Sequence, residues 1–225
     1  MTAGLTLTVV LTAGARAASP AAAPVSIRWE RNFDDAVRKA RKAGKPVIVN
    51  FWAQWCSWCI RLDHTTYVDP VVVRKSQEFV AVKVDTEGSR KDVEVARRYC
   101  VESLPAVLFL TPQGRQLWRV DGYQGKGVFP HTLDNVLTVA RRVIGFEDAL
   151  GRNPDDPRAL AALGSHLYEV GTTFYQMQCL DEARDKLGRA AQRDGDASPE
   201  DRRHTRMLLD SLKKTRKDFP EGCRP

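Results

Sequence analysis

Two cysteines, Cys56 and Cys59, stand two residues apart at the end of the apolar run Val47-Ile48-Val49-Asn50-Phe51-Trp52. Thiols at this spacing can close a ring with each other or supply half of a metal site. The residues that follow, Ile60-Arg61-Leu62-Asp63-His64, can continue as a helix, so Cys56 is expected where a strand hands over to a helix's first turn. Unpaired backbone N–H groups and the helix dipole favour an anion at that point. A thiolate is such an anion, and it is the reactive form of cysteine. Cys59 falls one turn on, on the same helix face. Neither a second C-x-x-C nor a close pair of histidines accompanies the two thiols in the sequence. His64, His131, His166 and His204 are scattered and read as surface or capping residues. No metal and no cofactor is therefore expected, and a structural disulfide is the bland rival to a reactive pair.

The flanking pattern supplies elements to hold the pair. Ile27-Arg28-Trp29 reads as a short first strand. Phe33, Val37 and Ala40 recur at helical spacing until Gly44-Lys45-Pro46 stops the helix. The run 47–52 is apolar on both faces, as a central strand is. Asp69-Pro70 opens a short helix to about Lys75, 79–85 alternates as a strand, and 91–99 is helical. Residues 107–110 and 116–120, joined by a turn at 111–115, form a hairpin. Gly122, Gly125 and Gly127 mark a loop, and a helix follows from Phe129 to about Ile144.

The segment Phe51-Trp52-Ala53-x-Trp55-Cys56-x-x-Cys59 resembles the active-site signature of the thioredoxin superfamily. Ser103-Leu104-Pro105-Ala106, ahead of the apolar run 107–110, resembles that family's cis-proline loop. The likeness covers roughly residues 25 to 147. Asp69-Pro70 and Val80-Ala81-Val82-Lys83-Val84-Asp85 are most similar to its periplasmic thioredoxin-like members. The resemblance implies an α/β thioredoxin fold, a central mixed sheet flanked by helices. It also implies a thiol–disulfide oxidoreductase in which Cys56 attacks a substrate disulfide and Cys59 resolves the mixed disulfide. Trp55, Trp58, Leu104 and Pro105 would then meet the substrate. The partners implied are cysteine-containing protein substrates and an upstream thiol–disulfide donor or acceptor of electrons. Asn50 departs from the pattern: thioredoxins carry a buried Asp at the matching place, assisting the resolving cysteine, and Asn cannot accept its proton. Lys83 matches the lysine that accompanies that Asp. Neither Ser57 nor Trp58 adds positive charge beside Cys56, which favours a reductase or relay over an oxidase. An oxidase or isomerase, and a partner-binding module with a structural C-x-x-C, remain the alternatives.

Residues 1–24 read as a signal peptide and linker. Leu5–Leu11 is a short apolar core, and Ala15-Arg16-Ala17 fits an A-x-A cleavage site. A periplasmic or secreted location is expected. The apolar run is too short for a stable transmembrane anchor. The net charge of +7 is spread through mixed-sign runs at 38–45, 90–98 and 202–217, with no aromatic-studded basic stripe, so no nucleic-acid partner is expected.

A second unit, 153–225, starts at Asn153-Pro154-Asp155-Asp156-Pro157. Leu160-x-x-Leu163-Gly164-x-x-Leu167 and Ala183-x-x-x-Leu187-x-x-Ala190 resemble the two helices of a tetratricopeptide repeat. A long connection at 171–178 is expected where that family has a tight turn. A third helix, about 199–217, would make this a small all-α helical hairpin unit that packs on the first domain or holds a protein partner. Five cysteines leave three after the pair. Cys100 is expected to be buried and inert. Cys179 and Cys223 are expected to form a structural disulfide if the chain is exported, with pairing to Cys100 or two free thiols as the alternatives.

Overall fold

The computed structural model describes residues 26–174, 177–193 and 197–215. The expected signal segment and Cys223 lie outside the described residues. The element order is β1 (Trp29–Glu30), α1 (Phe33–Ala43), β2 (Val47–Trp52), α2 (Ser57–Thr65), α3 (Pro70–Ser76), β3 (Val80–Asp85), α4 (Arg90–Arg98), β4 (Ala106–Leu110), β5 (Gln116–Asp121), α5 (Phe129–Arg152), α6 (Pro157–Thr173), α7 (Met177–Gln192) and α8 (Pro199–Thr215).

Local chemistry sets most of the boundaries. Asn32 caps α1 by accepting from the Asp35 N–H, acidic residues follow in the first turn and basic ones in the last, and Gly44 ends it at φ 65, a left-handed conformation that glycine adopts without steric cost. Asp69 caps α3 ahead of Pro70. Ser89 and Asp92 form a reciprocal capping box on α4.

The sheet order is β1-β3-β2-β4-β5. Strand β2 is central, parallel to β3 and antiparallel to β4, with Asn50 opposite Lys83 on one side and Phe51 opposite Ala106 on the other. Alternation along the strands splits the core in two. Val47, Val49 and Phe51 face α1 and α4 with Val82, Val84 and Leu108. Ile48, Val107 and Phe109 face the other side, with Leu62 of α2, Val72 and Val73 of α3, and Phe129, Leu133 and Val136 of α5. This five-stranded mixed sheet between helices is the thioredoxin fold, with further helices appended.

Those appended helices continue the second core: Leu163, Leu167, Leu180, Ala183, Leu187 and Leu208 belong to the same buried cluster as Phe109 and Phe129. Helix α5 therefore runs on to Arg152, past its expected end near Ile144. Phe146 and Leu150 extend its apolar stripe against this larger core, and burial there outweighs the weak helix propensity of Gly145. The expected long connection at 171–178 is corrected too. Helix α6 continues to Thr173 and α7 starts at Met177, so most of that stretch is helical. The two helices approach closely because Gly164 has no side chain: a Cβ there would lie 2.7 Å from Leu187 Cγ. The first strand sits at Trp29–Glu30, slightly later than expected, since Ile27 is buried and its N–H goes instead to the Tyr67 carbonyl.

Candidate active site

Strand β2 delivers its C-terminal end, through Ala53-Gln54-Trp55, to the start of α2. Cys56 is the N-cap of that helix, and its Sγ accepts the Cys59 N–H at 3.1 Å. The Cys59 and Ile60 N–H groups also reach the Cys56 carbonyl. The two cysteines form a disulfide, with Cα atoms 5.2 Å apart, inside the range such bonds span. Cys56 is 4% exposed and Cys59 1%, so Cys59 sits deeper. In the reduced state, the N–H aimed at Cys56 Sγ and the α2 dipole would favour a thiolate at Cys56.

The antiparallel register of β4 brings Pro105 beside the end of β2. The Leu104–Pro105 bond is cis, as the resemblance implied, and the Pro105 carbonyl accepts the Gly122 N–H at 2.8 Å. Pro105 itself is buried and Leu104 partly so. Trp55 is exposed, and its indole N–H donates to Glu87 at 2.7 Å. Trp58 is half exposed and packs at 5.4 Å, tilted, on Tyr123 of the loop after β5. Tyr123 shares a hydrogen bond with Thr65 at 3.1 Å. That bond, helped by the charge of Arg61, holds the Tyr123 hydroxyl below its usual value. The Arg61 guanidinium lies over both rings, 5.2 Å from each centroid.

Asn50 and Lys83 are neighbours in register, but each has another partner. Asn50 is 1% exposed, and its Oδ1 accepts from the Tyr67 hydroxyl at 3.0 Å. Lys83 donates to both oxygens of Asp63, at 2.5 and 2.6 Å, with its ammonium over the rings of Trp29 and Trp52. Burial, and then the charge of Asp63, raise the Tyr67 hydroxyl well above its ordinary value. The carboxylate that pairs with Lys83 thus sits on α2 rather than β2. Asp63 follows Cys59 by four residues on α2, and Tyr67 lies just past the end of that helix. Glu87 and Tyr123 carried no such signal, because loops bring them in, and Arg61, although on α2, shows its role only once Tyr123 is placed beside it.

The outlying candidates do not converge on this site. Cys179 is buried in the helical core, and burial pushes its thiol up to about 12. Cys100 is half-buried rather than buried, at a φ of 49, with its carbonyl held by Arg119. His166 is partly buried beside the Gln116 carbonyl, and burial lowers it. His64, His131 and His204 are exposed. Among the described residues no group of three His, Cys, Asp or Glu side chains could hold a metal ion.

Asn50→Asp tests what the missing carboxylate does. In its buried position a carboxylate pays desolvation, which raises its pKa. Folding stability is expected to drop by about 2 kcal/mol at pH 8. The loss should shrink toward pH 5, because a group whose folded pKa is raised weakens the fold as pH rises. Release of a mixed disulfide from Cys56 is expected to speed up if the new carboxylate takes the part that the resemblance gives to the buried Asp at this place. Denaturant titrations at the two pH values and stopped-flow release measure both effects; an unchanged release rate would remove any role for position 50 in resolution.

A family model described as thioredoxin-like matches residues 28–112. Over 110 residues the chain is 31% identical to the thiol:disulfide interchange protein DsbD of Ralstonia nicotianae, a match covering 48% of this chain and 18% of that protein. The chain spans less than a fifth of the length of the curated relatives it matches. Among solved structures, a thioredoxin from Thermus thermophilus is 28% identical, with 50% of this chain and 88% of that one covered and a TM-score of 0.46. The DsbH oxidoreductase is 20% identical, covering 53% and 90%, also at a TM-score of 0.46. With the strand order, the Cys56–Cys59 pair on the N-terminus of α2 and the family match on 28–112, this part of the chain is a thioredoxin-superfamily domain.

Proposed function

We propose that the chain is a thiol–disulfide oxidoreductase that reduces or exchanges disulfides of extracytoplasmic proteins. The observation that carries this reading is the placement of Cys56: it caps α2, receives the Cys59 N–H on its sulfur, and is already bonded to Cys59. In the reduced protein the Cys56 thiolate attacks one sulfur of a substrate disulfide. The S–S bond breaks, one substrate thiolate leaves, and a mixed disulfide forms. The Cys59 thiolate then attacks the Cys56 sulfur, the second substrate thiolate leaves, and the Cys56–Cys59 disulfide closes. Two electrons pass to the substrate, and its two thiolates take up the protons that Cys56 and Cys59 gave up. An upstream dithiol restores the pair. Trp55, Trp58, Leu104 and Pro105 are the substrate-facing surface in this reading, with Asn50 and Lys83 behind the pair.

Reduction is the favoured direction because the residues between the cysteines, Ser57 and Trp58, bring no positive charge to depress the Cys56 thiol strongly. The names of the relatives, thiol:disulfide interchange proteins, support the chemistry. The export pattern at residues 5–17 supports an extracytoplasmic site of action. No helix among the described residues is long and apolar enough to cross a membrane. In this reading residues 25–147 are the catalytic unit and 153–225 a tetratricopeptide-like unit for a protein partner, with Cys179–Cys223 as its structural bond.

The test is insulin reduction by dithiothreitol, followed by turbidity with and without the full chain. Clear acceleration, lost when Cys56 is replaced by Ser, is expected. No acceleration would leave a partner-binding module with a structural disulfide as the better account.

A further inference from the structure

We propose that Arg61, held in the angle between Trp58 and Tyr123, selects substrates that carry an acidic side chain near the reactive cysteine. This rests on the oxidoreductase reading and names the class of protein it would act on.

The strand order lays the loops around Cys56 in a row. Since β2 lies between β3 and β4, with β5 beyond β4, the loop after β3 is on one flank of the cysteine pair. The Pro105 loop and the loop after β5 are on the other. The bond from the Gly122 N–H to the Pro105 carbonyl ties those last two loops together. Helix α2 presents Trp58 and Arg61, three residues apart, toward Tyr123 of that flank.

The three groups form a nearly equilateral cluster. The Arg61 Cζ lies 5.2 Å from each ring centroid, and the rings are 5.4 Å apart at 42°. Thr65 fixes the Tyr123 hydroxyl, so the angle has a rigid wall. Contact with ring faces orients a guanidinium while leaving N–H donors on its edge. Such a fork matches a carboxylate in two-point geometry. Arg61 is exposed. The nearest carboxylate along α2, Asp63, is committed to Lys83, and among the described residues no acidic side chain forms an ion pair with Arg61. Lys126, also exposed, adds positive charge to the same loop. On the opposite flank Glu87, exposed, holds the Trp55 indole. An extended polypeptide crossing Cys56 would therefore meet Arg61 on one side and Glu87 on the other. An acidic substrate residue is favoured on the Tyr123 side alone.

Six short peptides test this, each with one cysteine in a disulfide to a chromogenic small thiol. Glu, Gln or Lys stands two residues before the cysteine in three of them and two residues after it in the others. Second-order reduction rates by the reduced full-length chain are compared at about 20 mM and about 0.5 M salt. For one of the two placements Glu is expected to outrun Lys by about fivefold at low salt, the scale of an exposed ion pair. High salt should erase the ratio. Arg61→Gln and Tyr123→Ala should bring it close to one. Arg61→Lys, which keeps the charge without the planar fork, should give an intermediate value. Equal rates for all peptides, or a Glu-over-Lys ratio that survives Arg61→Gln, would overturn the proposal and leave the oxidoreductase standing. A wild-type chain that reduces none of the peptides would take down both.

Discussion

Cys59→Ser is expected to hold substrates on the protein as mixed disulfides and to lower turnover to the uncatalysed background, whereas Cys56→Ser should lose turnover and trap nothing. The asymmetry follows from the geometry. Cys56 caps α2, where its sulfur receives a backbone N–H, and the Pro105 loop lies alongside. Cys59 is inside the helix, one turn deeper, where the Cys56 sulfur is within its bonding reach. Within the protein, a substrate bonded to Cys56 is released by attack of the Cys59 thiolate on the Cys56 sulfur, and serine cannot supply that thiolate. The check is incubation of each variant with a mixture of disulfide-bonded proteins, an acid quench, and non-reducing electrophoresis with mass identification of the bands. Equal trapping by both variants, or by neither, would reverse or remove the assigned roles. The Asn50→Asp variant is expected to add a kinetic layer, changing the rate of resolution while both sulfurs are kept.

How far the sequence carried this picture depended on whether the information was periodic. The run 47–52 is apolar at every position but Asn50, which marks a strand covered on both faces, and β2 is indeed the centre of the sheet. Gly44 and Asp69 announce helix ends through local chemistry that needs no tertiary partner, and Asn32 and Ser89 cap their helices in the same local way. The cysteine pair and Pro105 were legible as a motif. What was not legible came from contacts between distant segments. Asp63 looks like an ordinary solvent-facing acid on a helical wheel until β3 brings Lys83 against it. Tyr123 sits in a glycine-rich loop with no periodicity, and only the β4–β5 pairing carries it to Trp58. The end of α5 depends on contacts of the same kind: it runs past Ile144 to Arg152 because a second helical layer covers Phe146 and Leu150.

Arg115 is expected to matter for stability as much as the cysteines do for chemistry, because it joins the sheet to the appended helices. It lies in the turn between β4 and β5, donates to Glu147 of α5 at 2.8 Å, and also pairs with Glu182 of α7. The Glu147 side chain is 6% exposed and that of Arg115 19%. Thr111 gives Glu147 Oε1 a further bond at 3.1 Å, while Oε2 is buried without one among the described residues. Burial pushes the Glu147 carboxyl above its ordinary value, against the opposing pull of Arg115. Replacing Arg115 by Met keeps the bulk and removes the charge, leaving a buried carboxylate uncompensated. The expected cost is about 3–5 kcal/mol at pH 7. The sign of its pH dependence follows from linkage. A carboxyl whose folded pKa is raised binds its proton more tightly in the folded state, so stability falls as pH rises from the ordinary carboxylate range through the raised value. Without Arg115 that value climbs further, so the penalty should be largest near neutrality and small near pH 4, where Glu147 is protonated in the folded protein. Arg115→Met combined with Glu147→Gln should recover most of the loss at pH 7, because the buried charge is gone. Denaturant titrations of the three proteins at both pH values decide it. A penalty that is the same at pH 4 and pH 7, or that persists in the double variant, would show that Arg115 acts by packing its stem rather than by neutralising Glu147.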